Sequence, residues 1–349
     1  MNELPNITVI VPCRNEADFI HRCLDSIIRN EYPRDRMEIS VVDGVSEDGT
    51  WQIIEEYSAQ YPFIQGLRNP EMITPVALNV GIKNSTGQII FRVDAHAMLS
   101  PDYLRLCVEA LISSAADNVG GTMETLPSRS GIVAKAIAMS ISHPFGVGNS
   151  PFRVSRNKAA LTDTVFGGCY RRQVFDRIGL FNEKLPRGQD MEFNRRLCNA
   201  GGRILLDPHI KNAYYASPDL KTFWRHNLHD GQWAILPFAY SRVVPIRLRH
   251  VIPLIFIAAL FGLAVSGIWS LPMRDLLYGL VASYMALSLL SAFQIAMRER
   301  DPLLVFLMPL VFGIRHVAYG LGSALGIVRL LGKRTFTRRL FHRDHYPSS

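Results

Sequence analysis

The spacing of apolar positions divides the chain into two parts of different character. The first alternates short apolar runs with polar turns. Ile7-Thr8-Val9-Ile10-Val11 is a β-branched run that fits a buried parallel strand, and Pro12 ends it. After the loop Cys13-Arg14-Asn15-Glu16, apolar residues at Phe19, Ile20, Leu24, Ile27 and Ile28 recur at helical spacing and predict a helix from about Ala17 to Arg29. Met37 to Val42 reads as the second strand, with Asp43 at its end. The turn-rich loop Gly44 to Thr50 then leads into a helix beginning near Trp51. Strand, helix, strand, helix in this order predicts an α/β fold with a doubly wound, mostly parallel sheet. A loop at Arg68-Asn69-Pro70, a helix over Pro75 to Ile82, a strand running to Asp94, a helix from Pro101 to Ser113 and a strand over Asn118 to Met123 continue the pattern. The Gly/Pro/Ser-rich stretch His143 to Ser150 interrupts it as a long loop would. A helix is expected from about Asp190 to Ala200.

After Asp207-Pro208 the character changes. Phe223 to Tyr240 mixes aromatic and basic residues, including Trp224, Arg225, His226, His229 and Trp233, as an interfacial helix would. Val251 to Trp269 and Leu276 to Met297 are apolar runs of about 20 residues, the length that spans a bilayer. Leu303 to Leu331 is a third apolar region, but Arg315 and His316 sit near its middle, where a lipid-facing charge is costly. The expected organisation is an α/β domain over 1–222, an interfacial segment over 223–250, a membrane domain over 251–332 and a basic tail over 333–349. Arg242, Arg247 and Arg249 precede the first span, Arg298 and Arg300 follow the second, and the link Ser270 to Asp275 holds only Arg274. The positive-inside rule then puts the first domain in the cytoplasm at the inner membrane. Keeping Lys333, Arg334, Arg338 and Arg339 on the same side requires an even number of crossings. The third region is therefore expected to dip in and return, with Pro309 and Gly313 permitting a break, or to lie along the interface. A tilted third span is the alternative.

Composition adds a little. The 349 residues hold 38 Lys+Arg against 30 Asp+Glu, a modest basic excess. Its concentration after the apolar region points to anionic lipid, and no nucleic-acid partner is expected. Five scattered cysteines without a C-x-x-C pair read as reduced thiols. The start of the chain, MNELPNITVIVP, lacks the basic and long apolar regions of a signal peptide and reads as a first strand.

The candidate chemistry gathers at Phe91-Arg92-Val93-Asp94-Ala95-His96. A strand ending there places Asp94 and His96 at the sheet's C-terminal edge, where open α/β sheets bind ligands. Asp94 is a hard oxygen ligand suited to Mg2+ or Mn2+, and His96 could be a second ligand. Several motifs together resemble the family 2 inverting glycosyltransferases of GT-A fold, and within them the membrane-anchored exopolysaccharide glucosyltransferases of succinoglycan type. These are P-C-R-N-E at Pro12 to Glu16, D-G-V-S-E-D-G-T at Asp43 to Thr50, A-L-N-V-G at Ala77 to Gly81 and D-A-H at Asp94 to His96. H-P-F-G-V-G-N-S at His143 to Ser150, G-Q-D-M-E-F-N at Gly188 to Asn194 and Y-G-L-G at Tyr319 to Gly322 complete the set.

The resemblance implies a non-processive transferase moving a sugar, glucose from UDP-glucose, to a lipid-linked polyprenyl-diphosphate saccharide in exopolysaccharide or surface-glycan synthesis, alongside other glycan-assembly enzymes. It implies that Pro12, Arg14, Asn15, Glu16, Asp43, Arg68, Asn79 and Asp94 bind the nucleotide sugar and that Asp94 and His96 hold a divalent metal. Gly167, Gly168, Gln189, His229 and Trp233 fall on the acceptor side. Asp190 becomes the general base: it opens a helix, where the positive end of the dipole favours a carboxylate. Helix capping is the plainer reading of Asp43 and Asp190. Two positions depart from the commoner family pattern: His96 stands where Asp is usual, and Gln189-Asp190 replaces an acid pair. The Q-x-x-R-W motif of processive synthases is missing. The rivals are direct transfer to a polyprenyl phosphate, and a membrane-tethered nucleotide-sugar binding protein without turnover.

Overall fold

The computed structural model describes residues 4–154, 158–243 and 246–332. The chain forms two compact units: one comprises the chain up to Leu126 with Ser150–Tyr215, the other Pro127–Asn149 with the chain from Ala216 onward. The first unit begins with β1 (Ile7–Cys13), α1 (Ala17–Ile28), β2 (Met37–Asp43), α2 (Thr50–Gln60), β3 (Ile64–Arg68), α3 (Thr74–Lys83), β4 (Ile89–Arg92), β5 (Ala97–Leu99), α4 (Tyr103–Ser113) and β6 (Asn118–Leu126). After α5 (Ile132–Ser140) and α6 (Pro144–Val147), which belong to the second unit, it resumes with β7 (Ala160–Thr162), β8 (Cys169–Arg171), α7 (Gln173–Ile178), α8 (Gln189–Asn199) and β9 (Ile204–Tyr215).

These strands form one sheet in the order β3-β2-β1-β4-β8-β6-β9-β5, with β7 also on β9. The block β3-β2-β1-β4 is parallel, as the β-branched runs predict. Beyond β4 the sheet is mixed, because β8 runs antiparallel to both β4 and β6 and β5 antiparallel to β9. The alternation along β1 explains the double winding. Ile7, Val9 and Val11 join one core with α1 residues Ile20, Leu24 and Ile27, whereas Ile10 joins a second core with Ala77, Leu78 and Ile82 of α3. Each such fully buried aliphatic side chain contributes about 1.5–3 kcal/mol. The chain steps outward from β1 to β3 and then crosses back to β4 on the other side of β1. The order therefore reverses at β1, and the crevice between the C-terminal ends of β1 and β4 is the expected ligand site.

The second unit contains α5, α6, α9 (Leu220–Ile235), α10 (Pro237–Tyr240), α11 (Leu248–Ser266), α12 (Leu271–Glu299) and α13 (Leu304–Leu331). Of these, α11, α12 and α13 are long and apolar enough to cross a membrane. Expected and observed organisation differ in three respects. First, residues 127–149 group with the C-terminal helices, where α5 packs on α13 and Lys135 lies 3.7 Å from Glu299 and 3.4 Å from Asp301. His143 to Ser150 is also more ordered than a long loop, since His143 caps α6 by accepting the Phe145 N–H at 3.2 Å. Second, the link between the first two apolar helices is shorter than expected, because α12 already begins at Leu271 and includes Arg274 and Asp275.

Third, α13 runs unbroken through Pro309 and Gly313, so the expected break is absent. Packing keeps it helical. Glycines on α9 and α13 let the two backbones meet: a Cβ on Gly231 would overlap the Tyr319 carbonyl, and one on Gly322 the Leu228 carbonyl. The two central polar residues face protein. Arg315 donates from Nε to the Gly146 carbonyl and from Nη1 to Asn227 Oδ1 at 2.8 Å. His316 lies 3.0 Å from the Phe145 carbonyl through Nε2 and 2.9 Å from the Tyr284 hydroxyl through Nδ1. The basic tail from Lys333, including Arg334, Arg338 and Arg339, lies outside the described residues.

Candidate active site

Three loops at the C-terminal ends of β1, β2 and β4 build the site in the first unit. The first two are tied into one rim. Asn15, at φ 55°, donates its backbone N–H to Ser46 Oγ and accepts the Glu47 N–H, both at 2.9 Å. Asp48 reaches back to cap α1 by accepting the Ala17 N–H at 3.1 Å, and the Thr50 hydroxyl accepts the Glu16 N–H at 2.9 Å. The run of Ser, Asp and Thr in the second motif is therefore spent largely on holding the first.

Asp43, Arg68 and Cys13 sit at matching positions across the ends of β2, β3 and β1. The Asp43 side chain is 0% exposed; it accepts Arg68 Nη1 at 2.6 Å and the Ser46 N–H at 3.1 Å, and the Ser46 hydroxyl as well. Arg68 in turn lies flat over Trp51, 3.5 Å from the ring centroid. Burial and the nearby carboxylates of Asp43, Glu16 and Asp48 push the Cys13 thiol far up, so it is an inert neutral group. Asn79 has a different task from the one its motif suggests. It is buried on α3, donates to the Phe181 carbonyl at 2.9 Å and to Glu183 Oε1 at 2.8 Å, and accepts the Phe181 N–H at 3.0 Å. Its amide fastens the segment before α8, and both of its N–H donors are spent there.

At the third loop, Asp94 and Asp190 of α8 meet on one arginine. Arg92, the last residue of β4, donates from Nη2 to Asp94 Oδ1 at 2.8 Å and from Nη1 to Asp190 Oδ2 at 3.3 Å. Its side chain is only 10% exposed, against 17% for Asp94 and 31% for Asp190. Burial opposes its charge, but the two carboxylates outweigh burial and raise the Arg92 pKa. Asp190 is held from the other side by the first turn of α8, where its Oδ1 accepts the Met191 N–H at 2.8 Å. One turn later Asn194 locks the helix onto the sheet through Asn118 at 3.1 Å, Thr164 at 3.2 Å and the Tyr170 hydroxyl at 3.3 Å. His96 points its Nδ1 at Glu16 Oε1, 3.1 Å away, and packs edge-on to Tyr214. Burial disfavours its protonation, yet the Glu16 hydrogen bond and the charge of Asp94 raise its pKa overall.

A match to the glycosyl transferase family 2 model covers residues 8–179, from β1 through the C-terminal end of α7. The chain carries a family 2 glycosyltransferase domain. It is 25% identical over 340 residues, 95% of this chain and 99% of the other, to a dolichyl N-acetyl-alpha-D-glucosaminyl phosphate 3-beta-D-2,3-diacetamido-2,3-dideoxy-beta-D-glucuronosyltransferase of Methanococcus voltae. It is 26% identical over 257 residues, 73% of this chain and 76% of the other, to succinoglycan biosynthesis protein ExoA of Rhizobium meliloti. Among solved structures it resembles a mannosyltransferase of Pyrobaculum calidifontis in complex with GDP-Man and Mn2+, with TM-score 0.58, 21% identity, and coverage of 93% of this chain and 88% of that one. That likeness places the GT-A-type sheet.

Within this glycosyltransferase domain the donor chemistry fits a metal that shares its coordination with phosphate. No group of three or more His, Cys, Asp or Glu that could cage an ion occurs among the described residues. Asp94 offers a partly exposed carboxylate beside the imidazole of His96, and Mg2+ and Mn2+ sites characteristically combine one or two carboxylates with water and substrate phosphates.

Other predicted positions divide between the two units. Pro12 does not end the strand as expected but lies within β1, opposite Val42, and Arg14 is exposed beside Gly44. Gly167 and Gly168, at φ 69° and 116°, lie against β4: Gly168 accepts the Arg92 N–H at 3.0 Å, and a Cβ on Gly167 would come within 2.8 Å of the Arg92 carbonyl. Gln189 is buried in the first turn of α8. His229 is exposed on α9 and Trp233 stacks with Tyr240, both in the helical unit. The residue that motif reading passed over is Arg92. A strand-terminal arginine inside a metal motif carries no sequence mark of what it bridges, because Asp190 lies 98 positions away.

Proposed function

We propose that this chain is an inverting, metal-dependent, non-processive glycosyltransferase that moves a sugar from a nucleotide donor to a lipid-linked saccharide at the cytoplasmic membrane face. The observation that carries this reading is the meeting of Asp94 and Asp190 on one guanidinium at the sheet's C-terminal edge. A binder without turnover has no use for the second carboxylate. Asp94 and His96 would hold the divalent ion, which when bound neutralises charge on the diphosphate. Asp190 takes the proton from the acceptor hydroxyl while that oxygen attacks the anomeric carbon. The bond from that carbon to the diphosphate oxygen breaks, and the configuration inverts. Asp43, Arg68 and Trp51 line the end of the sheet that receives the base, with Glu16, Asn15 and Pro12 forming the adjoining rim.

The lipid-linked acceptor is favoured by the three apolar helices and by the dolichyl-linked sugar in the name of the Methanococcus relative. Succinoglycan-type similarity favours UDP-glucose as donor. Arg242 and Arg247 before α11, Arg249 in its first turn, and Arg298 with Arg300 at the end of α12 favour a cytoplasmic catalytic unit. The close packing of α13 along α9 supports an interfacial course for α13.

The test is a donor and acceptor screen with the purified full chain, Mn2+ or Mg2+, and both polyprenyl-diphosphate-sugar and polyprenyl-phosphate acceptors. Transfer from UDP-glucose to the former is expected, and Asp190→Asn should reduce it by about 10²–10⁴-fold with UDP affinity nearly intact. Better competition by GDP than by UDP would overturn the donor, product from the bare polyprenyl phosphate the acceptor, and activity of the Asp190→Asn protein within a few-fold of wild type the base.

A further inference from the structure

Four partly buried arginines in the sheet unit fall into two kinds. Arg171 donates to the Ala116 and Leu111 carbonyls, Arg172 to the Gly87 and Ile82 carbonyls and Ser85 Oγ, and Arg196 to the Ile178 and Leu180 carbonyls beside Glu192. These fasten loops and chain ends to the sheet. Arg92 is different, since among the described residues its side chain donates to two carboxylates at the rim. Its Nε is buried with no hydrogen-bond partner among the described residues. An arginine placed for folding alone would spend that donor, as Arg171 and Arg172 spend theirs on the Ala116 and Gly87 carbonyls and Arg196 its own on the neighbouring Glu192. The position of Arg92 is dictated by the two carboxylates.

We infer that Arg92 is a positioning residue for the transfer reaction, which sets the spacing and orientation of Asp190 against Asp94. The inference rests on the reading of Asp190 as base. A planar guanidinium offers two forked N–H groups in fixed geometry, so it can hold one carboxylate on each arm where a lysine ammonium cannot hold the same pair at the same distances. The backbone of Arg92 is itself fixed. Its N–H is bonded to Gly168, and β4 is paired with β1 and β8. The arm that reaches Asp190 meets a side chain already oriented by the Met191 N–H. The result is a rigid link from the strand that carries the donor-side acid to the helix that carries the base. Misplacing a catalytic group by about 1 Å can cost on the order of 10²-fold in rate, which is the scale of effect this link controls.

The experiment compares Arg92→Met, Arg92→Lys and Arg92→Ala in the full chain, with UDP-glucose and the lipid-linked acceptor, and with Asp190→Asn alongside. Arg92→Met should lower kcat by about 10²-fold, with the Kd for UDP in calorimetry shifting by less than roughly threefold. Arg92→Lys, which keeps the charge and one contact, should lose roughly tenfold. Added guanidinium should raise the rate of Arg92→Ala and leave wild type and Asp190→Asn unmoved. Arg92→Met activity within about threefold of wild type would overturn the inference. So would loss of UDP binding in Arg92→Lys, or an Arg92→Ala protein that guanidinium fails to rescue. If Asp190→Asn remains active, the reading of the base has failed; if it is inactive while Arg92→Met is not, only the role of Arg92 has failed. Should Arg92→Met not fold, the lysine and guanidinium arms decide.

Discussion

The sheet unit and the helical unit handle buried polarity in opposite ways. At the rim of the sheet unit, charged side chains meet other charged side chains: Asp43 with Arg68, Arg92 with Asp94 and Asp190, His96 with Glu16. In the helical unit the inward polar groups mostly meet main-chain oxygens. Arg315 and His316 engage the Gly146 and Phe145 carbonyls, Asn227 the Phe223 carbonyl and Ser323 the Gly231 and Tyr319 carbonyls. A side chain bound to a carbonyl is fixed in the fold and has little left to offer a ligand. A carboxylate at the rim keeps lone pairs that its arginine does not use, and these can meet a substrate or a metal. The same residue types therefore pair with one another at the rim of one unit, where the chemistry is proposed, and hold helices together in the other.

The sharpest way to break this contrast is at the metal motif. Asp94→Ala should weaken UDP binding in the presence of Mn2+ by about tenfold or more, since even residues supporting a metal ligand typically cost that much. Calorimetry with and without Mn2+ measures it, and an unchanged metal response in the variant would remove Asp94 from the site. Asp43→Ala sits between the two behaviours, because Asp43 is both wholly buried and at the C-terminal end of β2, where the nucleotide is proposed to bind. Removing it strands Arg68, whose side chain is 43% exposed and so regains part of its hydration. The expected cost is about 1–3 kcal/mol, below the figure for a fully buried pair, together with a loss of UDP affinity. A lowered Tm with unchanged UDP affinity would make Asp43 a structural residue.

How much of this was legible follows from where each signal lies. β1, α1, β2, α2, α3 and α4 could be read because their apolar spacing is local and dense. β3, with the sequence IQGLR, and the three-residue β5, β7 and β8 have too few apolar positions to stand out. β9 is hidden differently: Asp207-Pro208 looks like a stop, but a register shift opposite Gly121/Thr122 absorbs the proline and the strand continues to Tyr215. Asp94 and Asp190 could be found as motifs at element ends. That Asn79 would be spent on Phe181 and Glu183, or that Arg92 would join the two acids, depends on contacts spanning about a hundred positions. Periodicity does not reach that far. The grouping of residues 127–149 with the helical unit is of the same kind, resting on Lys135 and on the two carbonyls held by α13.

Arg315→Leu probes the helical side of the contrast. It leaves Asn227 Oδ1 and the Gly146 carbonyl without this donor, and an unmet buried acceptor costs about 1–3 kcal/mol. Thermal unfolding of the protein in lipid nanodiscs should show a lower Tm, while calorimetric UDP affinity stays at the wild-type value. A variant of normal Tm that fails to bind UDP would place Arg315 among the ligand-binding groups and erase the distinction drawn above.

The smallest expected effect lies deep in the sheet unit, away from its rim. Glu38 of β2 accepts the Thr8 hydroxyl and the Gly87 N–H, the latter at 2.9 Å, and so ties the start of β4 to β1 and β2. Burial raises its pKa, but the hydrogen bonds from Thr8, Thr86 and Gly87 outweigh that and lower it overall. A carboxyl whose folded pKa lies below its unfolded value of about 4.3 contributes stability above that pH. The contribution fades as pH falls through the folded value. Glu38→Gln removes the titrating group, so the decline in Tm between about pH 5 and pH 3 should become shallower. The group is only partly buried, which holds the difference to on the order of a degree or two. Tm measured across that window for both proteins checks the sign: a steeper acid decline in the variant would mean that Glu38 opposes folding, and that its hydrogen bonds do not set its charge.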